Sequence, residues 1–575
     1  MTPDGGLTPK LGAPKPGMSE TGGSGHAGPP AASMTTVIAA SSLGTIFEWY
    51  DFFVFGVLAP VIAKNFFSGL DPTSGLLAAL GLFGAGFFFR PVGALIFGRL
   101  GDRIGRKSAF LTTVTMMGGS TIAIGLLPTW SQAGNIAPLL LILMRIIQGT
   151  ALGGEWGGAA VYVAEHARPG RRGAATGWIA VAAAPGLVGA LGLILILRAV
   201  MGEARFASDG WLAGWRIPFL ISALLLAISI WMRLKLSESP AFRAMEAAGG
   251  RAKAPLAEAF GRWRHLRLVL IALVTLMSAQ GAVWYTVFFY AEQVFLERFM
   301  KVPAQTGTLL LILVTVASGP LYILFAGISD RVGRKWVSWA GMTLAVAAFV
   351  PGFHLMARLA NPALVEAQAR TPVVVVADPA HCSFQFDILG KSRFATSCDI
   401  AKAALSNAGI SYRNLAAPSG ALARVEVGGR TVAAFDGSRL AAPALKAASG
   451  AFNARLKTTL NSAGYPAAAD PARINFWGLV AVMMVFVIAA TALYAPIAAA
   501  LVELFPTRIR YTAMSLPYHV GTGWVGGFVP VTAFAIVTAT GNIYAGLWYP
   551  AIFAGLSVVT LPFLLPETRG RDLDV

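Results

Sequence analysis

The sequence is poor in charge and in cysteine. Of its 575 residues only 13% are charged and 56% are hydrophobic, whereas soluble domains carry about 25% charged residues. Such a chain is too apolar for an ordinary soluble protein. Two cysteines and six scattered histidines show no ligand spacing, so no metal site is expected. No nucleophile–base pair or phosphate-binding glycine loop stands out, and we therefore predict neither an enzyme nor a cofactor.

The sequence also lacks a basic stripe with interleaved aromatic residues, although its formal net charge is +18. Nucleic acid is therefore not expected as a partner. In a membrane protein, Lys and Arg retained on the cytoplasmic side give the same excess of positive charge.

Long apolar runs are what the sequence has instead. Each can cross about 30 Å of hydrocarbon as a helix. They lie at about 36–63, 76–98, 109–128, 138–164, 174–199, 216–234, 267–295, 306–327, 336–357, 475–501, 513–539 and 546–565. The sequence thus predicts an all-α polytopic membrane protein with twelve transmembrane helices.

Lys and Arg are distributed unevenly between the connections. Most of those in short loops lie at 99–107, 166–173, 233–267, 331–335 and 506–511, whereas 129–137 and 540–545 hold none. By the positive-inside rule both termini are cytoplasmic, and we expect a multi-pass protein of a bacterial inner membrane. Residues 1–33 are predicted to be a disordered cytoplasmic tail rather than a signal peptide. Residues 567–575 are predicted to be a second cytoplasmic tail.

A loop motif occurs twice. G-R-L-G-D-R-I-G-R-K at 98–107 is matched by G-I-S-D-R-V-G-R-K at 327–335, which indicates an internal repeat. We predict one six-helix bundle at 34–235 and a second at 266–359 and 474–566. The cytoplasmic loop 236–265 joins them and is expected to lie against anionic lipid head groups.

Residues 360–473 interrupt the second bundle, and counting of the crossings places them outside the cytoplasm. T-P-V-V-V-V-A-D predicts a buried strand, D-I-A-K-A-A-L-S-N-A-G a helix ending at Gly409, and Gly428-Gly429 the turn of a hairpin. With a second helix at about 440–463, this is a small α+β insert. Cys382 and Cys398 are expected to form a disulfide there, with two free thiols as the alternative.

Charged residues within the apolar runs are costly and usually mark function. Glu48 and Asp51 lie three residues apart on one helix face, Arg90 interrupts the second run, and Arg145 and Glu155 lie in the fourth. A structural alternative is an ion pair of Arg90 with Asp51, or of Arg145 with Glu155. Glu165 and Glu292 lie near span ends, where surface exposure explains them equally well.

An acid in low dielectric near a permanent cation can take up and release a proton as access changes, and the fork of an arginine suits a carboxylate substrate. We predict proton coupling by Glu48, Asp51 and Glu155. The predicted substrate-binding residues are Arg90, Tyr50, Gln148, Trp156 and Tyr285. Trp284, Tyr494 and Tyr518 are among further aromatic residues that can line a cavity.

The repeated loop resembles the signature of the major facilitator superfamily. Further motifs resemble those of its metabolite:proton symporter branch. They are F-E-W-Y-D-F, R-P-V-G-A-L-I-F-G-R-L-G-D-R-I-G-R-K, R-I-I-Q-G-T-A-L-G-G-E-W-G-G-A, G-W-R-I-P-F at 214–219, E-L-F-P-T-R-I-R-Y-T at 503–512 and P-E-T-R-G-R-D-L at 566–573. The resemblance implies the major facilitator fold and alternating access. It also implies a cytoplasmic gate formed by Asp102, Arg103, Arg106, Asp330, Arg331 and Arg334.

The expected function is proton-coupled uptake of a small organic acid, such as a dicarboxylate, a keto acid or a shikimate-like or aromatic acid. A carrier of a zwitterion such as proline or betaine is the alternative within the class, although the chain lacks the heptad tail of the osmosensing members. A membrane receptor using the insert is the alternative from another class. The expected partners are the substrate, protons and membrane lipids, and the protein is expected to be a monomer.

Overall fold

Long helices make up most of the first 235 residues in the computed structural model, which describes residues 33–68, 72–386 and 393–573. The predicted tail at 1–33 lies outside these ranges except for Ser33, which caps the first helix. The six helical segments of this half, here named spans 1 to 6, are Met34–Phe66, Pro72–Ile104, Arg106–Leu126, Ile136–His166, Arg172–Met201 and Arg216–Leu234. Short helices lie at Trp130–Ala133, Glu203–Phe206, Pro240–Ala247 and Pro255–Gly261.

The second half repeats this arrangement. Its segments, spans 7 to 12, are Trp263–Phe299, Ala304–Val332, Arg334–Ala360, Phe476–Leu504, Thr507–Thr540 and Ala545–Leu564. Among the described residues, eleven segments are long and apolar enough to cross a membrane. The helix Pro72–Ile104, with 33 residues, takes the place of the remaining predicted span.

Two spans of the second half contain wide helical turns. Span 7 is a π-helix at Leu273–Met277 and again at Thr286–Phe299, and span 11 is one at Val520–Gly526. π-turns are rare and frequently lie at functional sites. They change which residues share a face, and the periodicity of the sequence did not predict them.

Glycines of span 4 bring three helices into close contact. A Cβ on Gly149 would lie 2.5 Å from the Gly86 carbonyl of span 2, and one on Gly153 would overlap the Arg90 carbonyl. On its other side, Gly157 lies against Ser515 of span 11. Small residues at these positions allow the backbones to approach, and they position Arg90 beside the second half.

The insert contains a four-stranded sheet with strands β1 Val373–Ala377, β2 Tyr412–Ala416, β3 Arg424–Val427 and β4 Arg430–Ala433. The strand order is β2-β1-β3-β4, with β2 parallel to β1 and the other pairs antiparallel. Helices lie at Pro362–Arg370, Ser397–Asn407 and Ala442–Ser462. The predicted α+β fold is therefore confirmed, although the sequence did not predict β2.

Local features of the insert follow the prediction. Gly428 and Gly429, with φ of 55° and 78°, form the turn between β3 and β4, as a tight hairpin requires. Cys382 and Cys398 form a disulfide with their Cα atoms 5.2 Å apart. The bond joins the segment after β1 to the helix Ser397–Asn407.

The insert docks on the ends of second-half spans. Tyr412 N donates to the Gly541 carbonyl, Asn361 Nδ2 to the Met300 carbonyl, and Ala469 N to the Lys301 carbonyl. In the described part of the chain, every hydrogen bond from the insert to the spans or their connections reaches the second half.

Candidate functional site

A small cavity lies between the two halves. The space free for the centre of a water-sized molecule is ≈ 20 Å³. The two halves contribute residues from six spans: Glu48, Trp49, Arg90, Trp156, Gln280, Trp284, Tyr285, Tyr494, Tyr518 and Thr522. The cavity is therefore polar at one wall and aromatic on the others.

Arg90 and Glu48 form the charged wall. Arg90 Nη2 lies 3.8 Å from Glu48 Oε1, and both side chains are less than a tenth exposed. The Arg90 guanidinium also lies over the Phe87 ring, 4.7 Å from its centroid. Arg90 Nε and Glu48 Oε2 have no hydrogen-bond partner among the described protein atoms. Burial of such groups is costly, so the site has hydrogen-bonding capacity for a polar ligand.

Aromatic side chains form the remaining walls. Trp156 of span 4 stacks on Tyr518 of span 11 with ring centroids 3.4 Å apart, and Trp49 meets Trp284 at 5.1 Å. The Tyr518 hydroxyl is 2.9 Å from that of Tyr494. These ring pairs join the halves across the cavity, and flat walls of this kind suit a planar or ring-shaped molecule.

Asp51 lies in a separate network within the first half. Gln148 Nε2 donates to both Asp51 oxygens at 2.9 Å, and Thr121 Oγ1 donates to Oδ1 at 2.9 Å. Arg145 Nη1 donates to Gln148 Oε1 at 2.8 Å. Tyr50 faces span 6, where its hydroxyl donates to the Pro218 carbonyl at 2.8 Å. Asp51, Gln148 and Tyr50 thus do not line the cavity.

Glu155 forms a fully buried ion pair with Arg233 of span 6. Thr113 Oγ1 donates to the same carboxylate at 3.1 Å, and the Arg233 guanidinium lies 3.5 Å from the Phe110 ring centroid. The absence of a side chain at Gly44 leaves the space for this pair.

Both ion pairs considered from the sequence are therefore wrong. Arg90 pairs with Glu48 instead of Asp51, and Glu155 pairs with Arg233 instead of Arg145. Arg233 falls within the loop predicted at 233–267. Its side chain is 1% exposed because the helix continues through Leu234.

The repeated loops connect the two halves. Asp102 accepts hydrogen bonds from Tyr511 N at 3.1 Å and Thr512 N at 2.8 Å, at the start of the helix Arg510–His519. Arg106 Nη1 lies 2.6 Å from Asp102 Oδ1. A carboxylate at a helix N-terminus is favoured by the free N–H groups and the helix dipole.

The second copy makes the reciprocal contact. Asp330 accepts from Gly173 N at 2.9 Å and Ala174 N at 2.7 Å, at the start of the helix Arg172–Val181. Arg334 Nη1 lies 2.6 Å from Asp330 Oδ1. Each half therefore caps a helix of the other half.

A buried glutamate completes each of these contacts. Glu165 lies 2.6 Å from Arg510 Nη1, and Glu503 lies 3.2 Å from Arg334 Nη2 and 3.6 Å from Arg172 Nη1. The sequence did not single out Glu503, although this residue begins the motif at 503–512, and it left Glu165 near a span end without an assigned role. Arg103 and Arg331, named with the gate, are exposed.

The fold and these contacts describe a two-bundle membrane transporter. The family model described as "Sugar (and other) transporter" matches residues 36–259 and 458–575. This chain belongs to that family of the major facilitator superfamily, and the relatives found are transporters, not enzymes.

The relatives include carriers of different substrates. The chain is 34% identical over 320 residues to the shikimate transporter of Escherichia coli K12, covering 54% of this chain and 70% of the relative. It is 33% identical over 331 residues to the proline/betaine transporter of Salmonella typhimurium LT2, covering 56% of this chain and 64% of the relative. The solved structure of the proton:xylose symporter XylE has a TM-score of 0.60 at 15% identity, covering 94% of this chain and 98% of that one. That last likeness concerns the fold alone.

Proposed function

We propose that this protein takes up a small organic acid together with protons, by alternating access, across a bacterial inner membrane. Both termini lie in the cytoplasm and the insert lies outside it. The observation that carries the proposal is the Arg90–Glu48 pair in a small cavity between the halves. The 34% identity to a shikimate transporter supports an acid as the substrate.

Arg90 is the proposed partner of the substrate carboxylate. Its planar fork can donate two parallel hydrogen bonds to a carboxylate, and its Nε is unused by the described protein atoms. Trp156 and Tyr285 are proposed to contact the apolar part of the substrate. Gln148 and Tyr50 are proposed to act indirectly, Gln148 through its hydrogen bonds to Asp51 and Tyr50 through its hydrogen bond to span 6.

Glu48 is the proposed link between protons and substrate. When ionised it pairs with Arg90; when protonated it leaves the guanidinium to the substrate carboxylate. Binding of the proton and binding of the acid are therefore coupled, because each raises the affinity for the other. Asp51 and Glu155 are proposed to support coupling. Asp51 lies in span 1 and the Glu155 ion pair lies beside the same span, but neither residue lines the cavity.

The reciprocal helix caps are the proposed cytoplasmic gate. Asp102 and Asp330 must release the helices Arg510–His519 and Arg172–Val181 before the halves separate on that side. With both caps engaged, the two halves are held together on that side of the cavity.

A zwitterion such as betaine is the second candidate, since the chain is 33% identical to a proline/betaine transporter. The aromatic walls would attract a quaternary ammonium group through cation–π contacts. Arg90 favours the acid because it carries a permanent positive charge in the same cavity.

The test is uptake into proteoliposomes of labelled shikimate, succinate, a keto acid and betaine, with and without an uncoupler. We expect an acid to accumulate only with an inward proton gradient, and Arg90→Ala to abolish uptake. Arg99→Ala, an exposed change on the same helix, is the matched control. Accumulation of betaine alone, or uptake by Arg90→Ala at the control rate, would contradict the proposal.

A further inference from the structure

Two glutamates of span 7 lie together outside the cavity. Glu292 is 4% exposed, and Glu297 is partly exposed. Both carboxyl groups face the same point of span 8, at Gly307. Residues five apart do not share a face of an α-helix, but they do in a π-helix, where hydrogen bonds run between residues i and i+5. The π-helix Thr286–Phe299 therefore produces this pair.

Span 8 leaves room for the pair at Gly307. A Cβ on Gly307 would lie 2.9 Å from Glu297 Oε1 and 3.2 Å from Glu292 Oε1. The second Glu292 oxygen, Oε2, is buried and has no hydrogen-bond partner among the described protein atoms.

Cations do not neutralise the pair. In the ranges that the structure describes, no ion pair within 4.0 Å involves either carboxylate. Charged side chains at this end of span 7 and on the elements around it contact other groups. Arg298 lies over the Phe534 ring, Lys301 donates to the Pro466 carbonyl and Lys402 donates to the Ala539 carbonyl. Asp399 accepts from the Ser383 hydroxyl, and both His354 and Arg358 face Tyr544.

Two carboxylates this close together, one of them buried, repel each other when both are ionised, so a proton on one of them is favoured. A metal ion is a poorer fit than a proton, because the described residues contain no group of three or more His, Cys, Asp or Glu that could hold one.

We propose that Glu292 and Glu297 bind one shared proton and form a second proton-binding site, through which protons enter the transporter from the insert side. This rests on the proposed proton-coupled uptake. Glu297 is the more exposed member, and the pair lies just before Phe299 and Lys301, where the insert docks. Trp284 and Tyr285, which line the cavity, lie on the same helix roughly 10 Å further inward.

The shared proton is tested by infrared spectroscopy of the purified full-length protein during a pH titration. The variants are Glu292→Gln and Glu297→Gln, which keep the side-chain shape. Gln293→Glu, on an exposed position of the same helix, is the control. We expect wild type and control to show a protonated-carboxyl band at neutral pH that is missing in Glu292→Gln. An unchanged band in that variant would overturn the proposal.

The entry role is tested by the dependence of uptake on external pH in proteoliposomes. We expect either Gln variant to need an external pH lower by about one unit for half-maximal uptake, while substrate exchange without a gradient stays within about twofold of wild type. A wild-type pH profile in both variants would overturn the entry role and leave the proposed function intact. Absence of proton movement with substrate in the wild type would instead overturn the proposed function.

Discussion

At the scale of single residues, the carboxylates buried in the first half differ in their partners. Glu48 faces the cavity and shares one long contact with Arg90. Glu155 is fully enclosed by Arg233 and Thr113. A group that exchanges protons needs a route to water, whereas a sealed ion pair holds helices together. The two glutamates should therefore respond differently to the same substitution.

We predict that Glu155→Gln destabilises the protein by about 3–5 kcal/mol, because it leaves the Arg233 charge buried without a partner. Glu48→Gln should leave stability nearly unchanged, and should abolish gradient-driven accumulation while substrate exchange persists. Thermal unfolding in detergent and the two transport assays measure these effects.

The control is the double variant Glu155→Leu with Arg233→Met, which replaces the pair by apolar groups and should recover most of the lost stability. If the double variant is stable but cannot accumulate substrate, Glu155 has a coupling role in addition to its structural one. Wild-type stability of Glu155→Gln would contradict the assignment of a sealed ion pair.

At the scale of elements, each repeated loop caps a helix of the opposite half. We predict that Asp102→Asn raises the population opened to the cytoplasm about tenfold, because the charged cap is worth about 1–2 kcal/mol. Arg103→Gln, at the exposed neighbouring position, should have no effect.

A thiol at Ser515 can report this opening. Ser515 lies against Gly157, between spans 4 and 11 and behind the Asp102 cap. The sequence has only two cysteines, both in the disulfide, so Ser515→Cys is the single free thiol. Its labelling by a membrane-impermeant reagent from the cytoplasmic side should be faster with Asp102→Asn. An unchanged labelling rate would contradict a gating role.

The spans were predictable from the sequence because hydropathy and length decide whether a helix can cross a membrane. The direction in which a buried charge faces was not predictable, since it depends on helix rotation. Arg90 and Glu48 were correctly expected within spans, but their pairing was missed. For Glu292 the sequence left surface exposure and function equally open, whereas the side chain is buried in the π-helix of span 7, which the periodicity of the sequence did not predict.

At the scale of the whole molecule, the insert is attached to one half only. Its described hydrogen bonds reach the connection between spans 7 and 8 and the ends of spans 9 and 11, all in the second half. Rocking of the halves against each other therefore need not break them. The insert can move as one body with the second half.

The two ends of the insert lie close together, since Asn475 N donates to the Leu359 carbonyl at 2.9 Å. A short Gly-Ser linker can therefore replace residues 362–473 without separating spans 9 and 10. We predict that this variant still takes up substrate, within about tenfold of the wild-type rate, because the cavity and both caps lie outside the insert. The thermal stability of this variant should fall, because the contact between Gly409 and the Phe299 backbone is lost. The control is a variant that keeps the insert but carries Cys382→Ser and Cys398→Ser. Complete loss of uptake by the linker variant, with normal membrane insertion and an intact Arg90 site, would favour a receptor-like role for the insert over the transporter mechanism proposed above.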